Sequence, residues 1–172
     1  MPSFELMRKY ILLLFLTPFC LAAISQVDTA EATYKKSSSF PDVKLLLPDS
    51  VSYYTKEDIP GNTAVMLILF NPTCEHCLHE TEEILKNIDR FSDKEILMVT
   101  SMPFDSMRVF REKYKLAQYK NIVVAQDTHF FLISYFMIHR LPFLAFYNRK
   151  KELISVFDGS MPVDKALEEL SK

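Results

Sequence analysis

The chain has 172 residues, with 20 lysines and arginines against 22 aspartates and glutamates, and 49% of it is hydrophobic. The cations are scattered along a chain of net charge −2, which excludes the basic patch that nucleic-acid binding needs. This length suits one domain with short extensions, and 14 Phe with 8 Met predict a core of aromatic and flexible side chains.

Arg8 and Lys9 precede an uncharged run from Tyr10 to Ile24, and Ala23-Ile24-Ser25 offers a small-x-small cleavage site before Gln26. The run is shorter than the roughly 20 residues that span a bilayer, so residues 1–25 read as a signal peptide rather than an anchor. A lipid anchor at Cys20 is disfavoured by the bulky Phe19 before it. Without the leader the chain keeps two cysteines, Cys74 and Cys77, which fits a local redox pair better than a structural disulfide network. Residues 26–39 are polar and read as a flexible lead to a domain over 40–172.

Within that domain Val43–Leu47 and Val51–Tyr54 are expected to form a hairpin laid against the sheet. Pro60-Gly61-Asn62 is a turn signal that launches Ala64–Phe70, a run without charge or alternation and therefore a buried strand. A helix is expected over Glu75–Phe91, with Leu78, Ile84, Leu85, Ile88 and Phe91 as its stripe. A strand over Glu95–Thr100 follows, then a helix capped by Asp105 or Ser106 and running to about Tyr114, then a strand over Ile122–Ala125. Phe130–His139 reads as a short helix with Leu132, Tyr135 and Phe136 inward. Phe143–Tyr147 and Leu153–Phe157 make an antiparallel hairpin, and Pro162 opens a last helix through Leu170. The fold class is α/β: a central mixed sheet with helices on both faces and its working loops at the carboxyl ends of the strands.

Cys74 and Cys77 fall where the central strand hands over to a helix. Free N–H groups and the positive end of the helix dipole favour a thiolate at Cys74, while Cys77, one turn on, is shielded and placed to attack a mixed disulfide formed at Cys74. His76 and His79 make the same stretch look like a zinc ligand set, but four ligands within six positions of one helix start do not easily surround a tetrahedral ion. No metal and no cofactor are expected. His76, if protonated, would favour the Cys74 thiolate and Glu75 would repel it, so both are candidate tuning residues beside the alternative of solvated surface. Glu80 shares a helical face with Cys77 and, if buried, would have a raised pKa and could pass a proton to or from that thiol; otherwise it is an ordinary first-turn glutamate. His79 points elsewhere, and Phe136, Phe143 and Tyr135 are assigned to packing. Pro142 by itself is a proline at the start of a strand.

Taken together, Cys74-Glu75-His76-Cys77 after a buried strand, Leu141-Pro142 before the strand Phe143–Tyr147, and Asp158-Gly159 after the next strand resemble the thioredoxin superfamily. The resemblance covers about Val43 to Leu170. It implies a thioredoxin-like fold with a short N-terminal hairpin and an inserted strand-helix element, a cis Pro142 facing the cysteines, and a Leu141 backbone that pairs with substrate beside Cys74, next to Thr73. The insertion, the leader and Asp127 ahead of Tyr135 are similar to the extracytoplasmic thiol-disulfide reductases of cytochrome c maturation, where a glutamate often stands at the position of Glu80. The chain departs from the common pattern at Pro72 and Thr73 before the first cysteine, at Ile68 in place of a buried acid, and in lacking a glycine shortly before Pro142.

The resulting expectation is an exported thiol-disulfide oxidoreductase of the periplasm or cell envelope. It would be monomeric, would reduce disulfides in exported proteins, and would be recharged by a membrane or periplasmic electron donor. A disulfide-donating oxidase of the same fold and a redox-inactive binding module are the alternatives. Peroxide reduction is a weaker reading suggested by Pro72 and Thr73.

Overall fold

The structure, a computed structural model, describes residues 32–35 and 37–172. The leader and Cys20 lie outside the described residues. The strands are β1 (Leu45–Leu46), β2 (Tyr53–Tyr54), β3 (Ala64–Leu69), β4 (Lys94–Thr100), β5 (Ile122–Gln126), β6 (Phe143–Tyr147) and β7 (Leu153–Asp158). The helices are α1 (Glu75–Lys86), α2 (Phe104–Lys113), α3 (Phe131–Phe136) and α4 (Val163–Glu169).

All seven strands join one mixed sheet in the order β2-β1-β5-β4-β3-β6-β7. Every residue of β3 is buried, because successive side chains enter two separate cores. Ala64, Met66, Ile68 and Phe70 face the layer of Ile84, Met107, Phe110 and Ala166, supplied by α1, α2 and α4. Val65, Leu67 and Leu69 face Leu132, Tyr135 and Phe136 of α3, together with Leu45 and Tyr54 of the hairpin. Each such aliphatic side chain contributes about 1.5–3 kcal/mol on leaving water. Helices therefore cover both faces, as the sequence leads one to expect.

β3, β4 and β5 run parallel, so their carboxyl ends share one edge. β6 runs antiparallel to β3, pairing Phe143 with Leu69, and β7 brings Asp158 opposite Phe143. The turn after β3, the start of β6 and the end of β7 are thereby placed side by side. Between α1 and Leu141-Pro142 the chain makes two strands and two helices, which accommodates the inserted element.

Several boundaries differ from expectation. α1 stops at Lys86 instead of Phe91, because Asn87 caps it, donating from Nδ2 to Glu83 O at 2.9 Å. A separate 3-10 turn, Ile88–Phe91, then drops Phe91 into the core. α2 begins ahead of Asp105 and Ser106, with Pro103 as its N-cap: Pro103 O accepts from the Ser106 and Met107 N–H groups at 2.9 and 3.2 Å. α3 is shorter than Phe130–His139, since Phe130 and Met137 at its ends are left-handed, with φ of 55° and 54°. Asp127, which is buried, accepts from Leu132 N–H at 2.8 Å.

The described part of the lead, from Ala32, also packs on the domain. Tyr34 lies 5.5 Å from the Phe136 ring, Leu153 N–H donates to Ser38 O at 2.6 Å, and Phe40 N–H donates to Lys151 O at 2.9 Å. Aromatic and backbone contacts outweigh the polarity that marks this stretch as a flexible linker in sequence.

The edge hairpin is tied to the sheet by a polar contact. Tyr54 OH donates to Glu95 Oε1 at 2.9 Å, and Glu95 is buried on β4. Burial raises the Glu95 pKa against the opposing pull of Tyr54 and Lys151. A raised folded pKa means that this carboxyl favours the fold most below its ordinary range and loses that contribution as pH rises through the raised value. Tyr54→Phe should lower stability by about 1–3 kcal/mol. Urea unfolding at about pH 4 and about pH 7 should also show that Glu95→Gln reduces the loss of stability over that interval.

Candidate functional site

The turn from β3 into α1 is fixed by its own side chains. Asn71 Oδ1 accepts from Thr73 N–H and from Thr73 Oγ1, both at 2.9 Å, and Cys74 N–H donates to Asn71 O at 3.1 Å. Phe70 N–H is held by Val99 O at 2.9 Å, so the turn leaves the sheet from a paired strand. Cys74 then occupies the N-cap position of α1, where backbone N–H groups lack helical partners.

Both cysteines are free thiols in different settings. Cys74 is half-buried, with its Sγ 3.9 Å from Leu141 O. Cys77 is 1% exposed, and its Sγ accepts from Asn71 N–H at 3.5 Å. Burial pushes the Cys77 thiol up to about 12; the Asn71 N–H pulls the other way, while Cys74 and Glu80 beside it add to the rise. At neutral pH Cys77 stays protonated until a base takes its proton.

Glu80 lies near enough for its charge to act on the Cys77 thiol. It is 3% exposed on the same face of α1, and its Oε2 accepts from Met161 N–H at 3.0 Å. Burial raises its pKa, opposed by Met161 and Ser160. Its other side borders an open cleft of about 460 Å³ between α1 and the loop before α4, lined also by His79, Glu83 and Ser160.

Leu141 and Pro142 close the opposite side. Their peptide bond is cis, and Pro142 O accepts from Gly159 N–H at 2.7 Å. Among the described residues no other backbone group bonds to Leu141: its C=O accepts from the Cys74 thiol, and its N–H remains available beside that sulfur. Glu75 and His76 are exposed in the first turn of α1, and His76 O accepts from Ser160 Oγ at 3.3 Å. Thr73 is exposed, but its hydroxyl proton is committed to Asn71. His79 is also exposed, and no described group of three or more His, Cys, Asp or Glu side chains is arranged to hold a metal ion.

Cys74, Cys77, Glu80, Leu141 and Pro142 are thus brought together. Sequence reasoning missed three members of the arrangement: Asn71, whose N–H reaches the buried sulfur, and Ser160 and Met161, which hold α1 from the far side. The Asn71-x-Thr73 spacing is a legible side-chain turn signal. Met161 acts only through its backbone, which no side-chain motif records.

No protein-family model matches the chain, and no curated protein does. Solved structures do match. The exposed lipoprotein thioredoxin Etrx1 of Streptococcus pneumoniae is 27% identical, with a TM-score of 0.55 over 76% of this chain and 100% of that one. The dsbF protein of Mycobacterium tuberculosis is 18% identical, with a TM-score of 0.64 over 76% and 93%. The peroxidoxin BcpB of M. tuberculosis is 12% identical, with a TM-score of 0.65 over 78% and 95%. The chain has a thioredoxin-like fold, and because that fold is common to these differently named proteins, its chemistry has to be argued from the site.

The two thiols should be separable by alkylation. Iodoacetamide at about pH 7.5 should modify Cys74 and spare Cys77 in the folded protein, and mass spectrometry after denaturation should show both labelled. Equal labelling in the folded state would contradict the burial described.

Proposed function

We propose that this protein is an exported thiol-disulfide oxidoreductase that reduces disulfides in other exported polypeptides, working as a monomer in the periplasm or cell envelope. The observation that carries this reading is the half-buried Cys74 sulfur against the Leu141 carbonyl, with the buried Cys77 one turn behind. An extended polypeptide pairing with Leu141 would bring its disulfide to Cys74.

The Cys74 thiolate attacks one substrate sulfur, forming a mixed disulfide and releasing the other substrate sulfur as a thiolate, which takes a proton from water. Glu80, as carboxylate, accepts the proton of Cys77. The resulting Cys77 thiolate attacks Cys74, releasing the second substrate thiolate and leaving a Cys74–Cys77 disulfide. Two electrons pass from the dithiol to the substrate, and Glu80 returns its proton to water through the flanking cleft. A donor dithiol, membrane-bound or periplasmic, must restore the reduced pair. Glu75 and His76 act on the potential from the surface.

Burial pushes the Cys77 thiol up to about 12, so this second cysteine adds no stabilised thiolate that would make the pair oxidising. Placement outside the cytoplasm is supported by the leader pattern and by the S. pneumoniae neighbour, which is described as an exposed lipoprotein. Service to cytochrome c maturation is the finer form of this reading, supported by the Glu80 position. Peroxide reduction fits less well, because the Thr73 hydroxyl already donates to Asn71.

Cys74→Ala should abolish reduction of a peptide disulfide, whereas Cys77→Ala should accumulate a covalent Cys74–substrate adduct visible by mass spectrometry. Glu80→Gln should slow release of that adduct by about 100-fold while leaving the initial attack nearly unchanged. Full activity in Cys74→Ala would overturn the proposal, and absence of any reduction by the unsubstituted protein would leave a binding role. Equilibration against glutathione tests direction, about 30 mV corresponding to about 1.4 kcal/mol for the two-electron couple.

A further inference from the structure

Of the eight large apolar side chains exposed among the described residues, four follow or precede elements at one end of the sheet, while Val51, Tyr53, Val109 and Phe157 lie apart. Met102, Phe130, Phe131 and Met137 are 36%, 55%, 39% and 38% exposed. Met102 follows β4, Phe130 and Phe131 follow β5, and Met137 precedes Leu141-Pro142, so all four stand at the sheet edge that carries Cys74. Gln126 Nε2 donates to Met102 O at 2.8 Å, tying the loop after β4 to the end of β5.

Two further observations mark this patch as built. Phe130 and Met137 hold left-handed backbone conformations at the two ends of α3, which bulky residues rarely adopt. A ladder of rings also connects the patch to the site: Phe131 stacks on Tyr135 at 5.6 Å, Tyr135 meets Phe136 at 4.9 Å, and Phe136 meets Phe143 at 5.0 Å. Phe143 is the residue after Pro142.

We propose that Met102, Phe130, Phe131 and Met137 form an apolar subsite for an aromatic or aliphatic side chain of the substrate polypeptide, a few residues from the cysteine whose disulfide Cys74 attacks. This rests on the thiol-disulfide reading above. An extended peptide gains about 3.3 Å per residue and presents alternate side chains to one face, so a strand paired with Leu141 carries its next side chains along this edge. Methionines adapt to differently shaped partners, and rings add large contact areas. No acidic residue occurs from Thr128 to Leu141, and Arg140 is exposed there, so the occupant is apolar and free of cations near the contact. A membrane surface, the other occupant of an apolar and basic face, would cover the approach to Cys74, which disfavours it.

The test uses the protein pre-reduced with dithiothreitol and freed of it, in single-turnover reactions. The substrates are two disulfide-bonded peptides that differ only in Phe or Ser four residues from a cysteine, and oxidised glutathione. The Phe peptide should react with a second-order rate constant about 10-fold above that of the Ser peptide. Phe130→Asn combined with Phe131→Ser, and separately Met137→Asn, should bring that ratio to about one while leaving the oxidised glutathione rate unchanged; asparagine tolerates the left-handed backbone at both positions. Circular dichroism checks folding, and the two variants are independent. No Phe preference in the unsubstituted protein, or a preference kept by both variants, overturns the subsite alone. Phosphatidylglycerol vesicle binding that is lost in the variants while the peptide ratio persists assigns the patch to lipid and overturns it too. Failure to reduce any of the three disulfides overturns the thiol-disulfide reading, and the subsite with it.

Discussion

Everything at the site depends on what α1 turns towards the sheet. The face that packs against β3 carries hydrocarbon at Ile84, but it also carries a thiol at Cys77 and a carboxyl at Glu80, both nearly inaccessible to water. Burial of an ionisable group without a partner is costly, so each is compensated: the sulfur by the Asn71 N–H and the carboxyl by the Met161 N–H. Both compensating donors are backbone groups on flanking turns, which locks the helix start to the end of β3 on one side and to the approach to α4 on the other. The same desolvation shifts both pKa values upward and holds the Cys77 thiol protonated at neutral pH.

The parallel run of β3, β4 and β5 has a second effect. Adding a strand and a helix ahead of Pro142 widens the edge at which the cysteine turn emerges, and the added chain ends there in exposed Phe and Met side chains. The scaffold under this edge is rigid, with two-sided burial of β3 and aromatic packing from Tyr34 through Phe136 to Phe143. A deformable backbone would be a poor platform for aligning two sulfur atoms in succession.

Much of this is legible in the sequence, and for identifiable reasons. Uncharged β-rich runs such as Ala64–Leu69 and Phe143–Tyr147 specify buried strands, and Cys-x-x-Cys at a strand-to-helix junction specifies the thiol pair. Glu80 is legible through helical periodicity. Helix ends are read less well: Asn87 ends α1 by hydrogen-bonding its own last turn, and Pro103 starts α2 with its carbonyl, effects that side-chain patterns record weakly. The packing of Tyr34 and Ser38 onto the domain is hidden because polar Ser38 contributes through its backbone and Tyr34 through a ring whose partner, Phe136, is about a hundred residues away in sequence. The apolar rim around α3 is hidden for another reason, since no glycine or asparagine in the sequence signals the left-handed turn at Phe130 that precedes the helix.

The N-terminal hairpin has a consequence for how such a molecule coexists with its own copies. Without it, β5 would offer five residues of unpaired main chain, a ready template for another strand. β1 pairs with that edge at Leu46 and Gln126, and β2, lying outermost, spans only two residues. Ser39 bridges Glu152 at the opposite margin of the sheet. On the hairpin side the sheet thus ends in a strand too short to template another, and the longer outer strand, β7, is the margin along which a second chain would have to add.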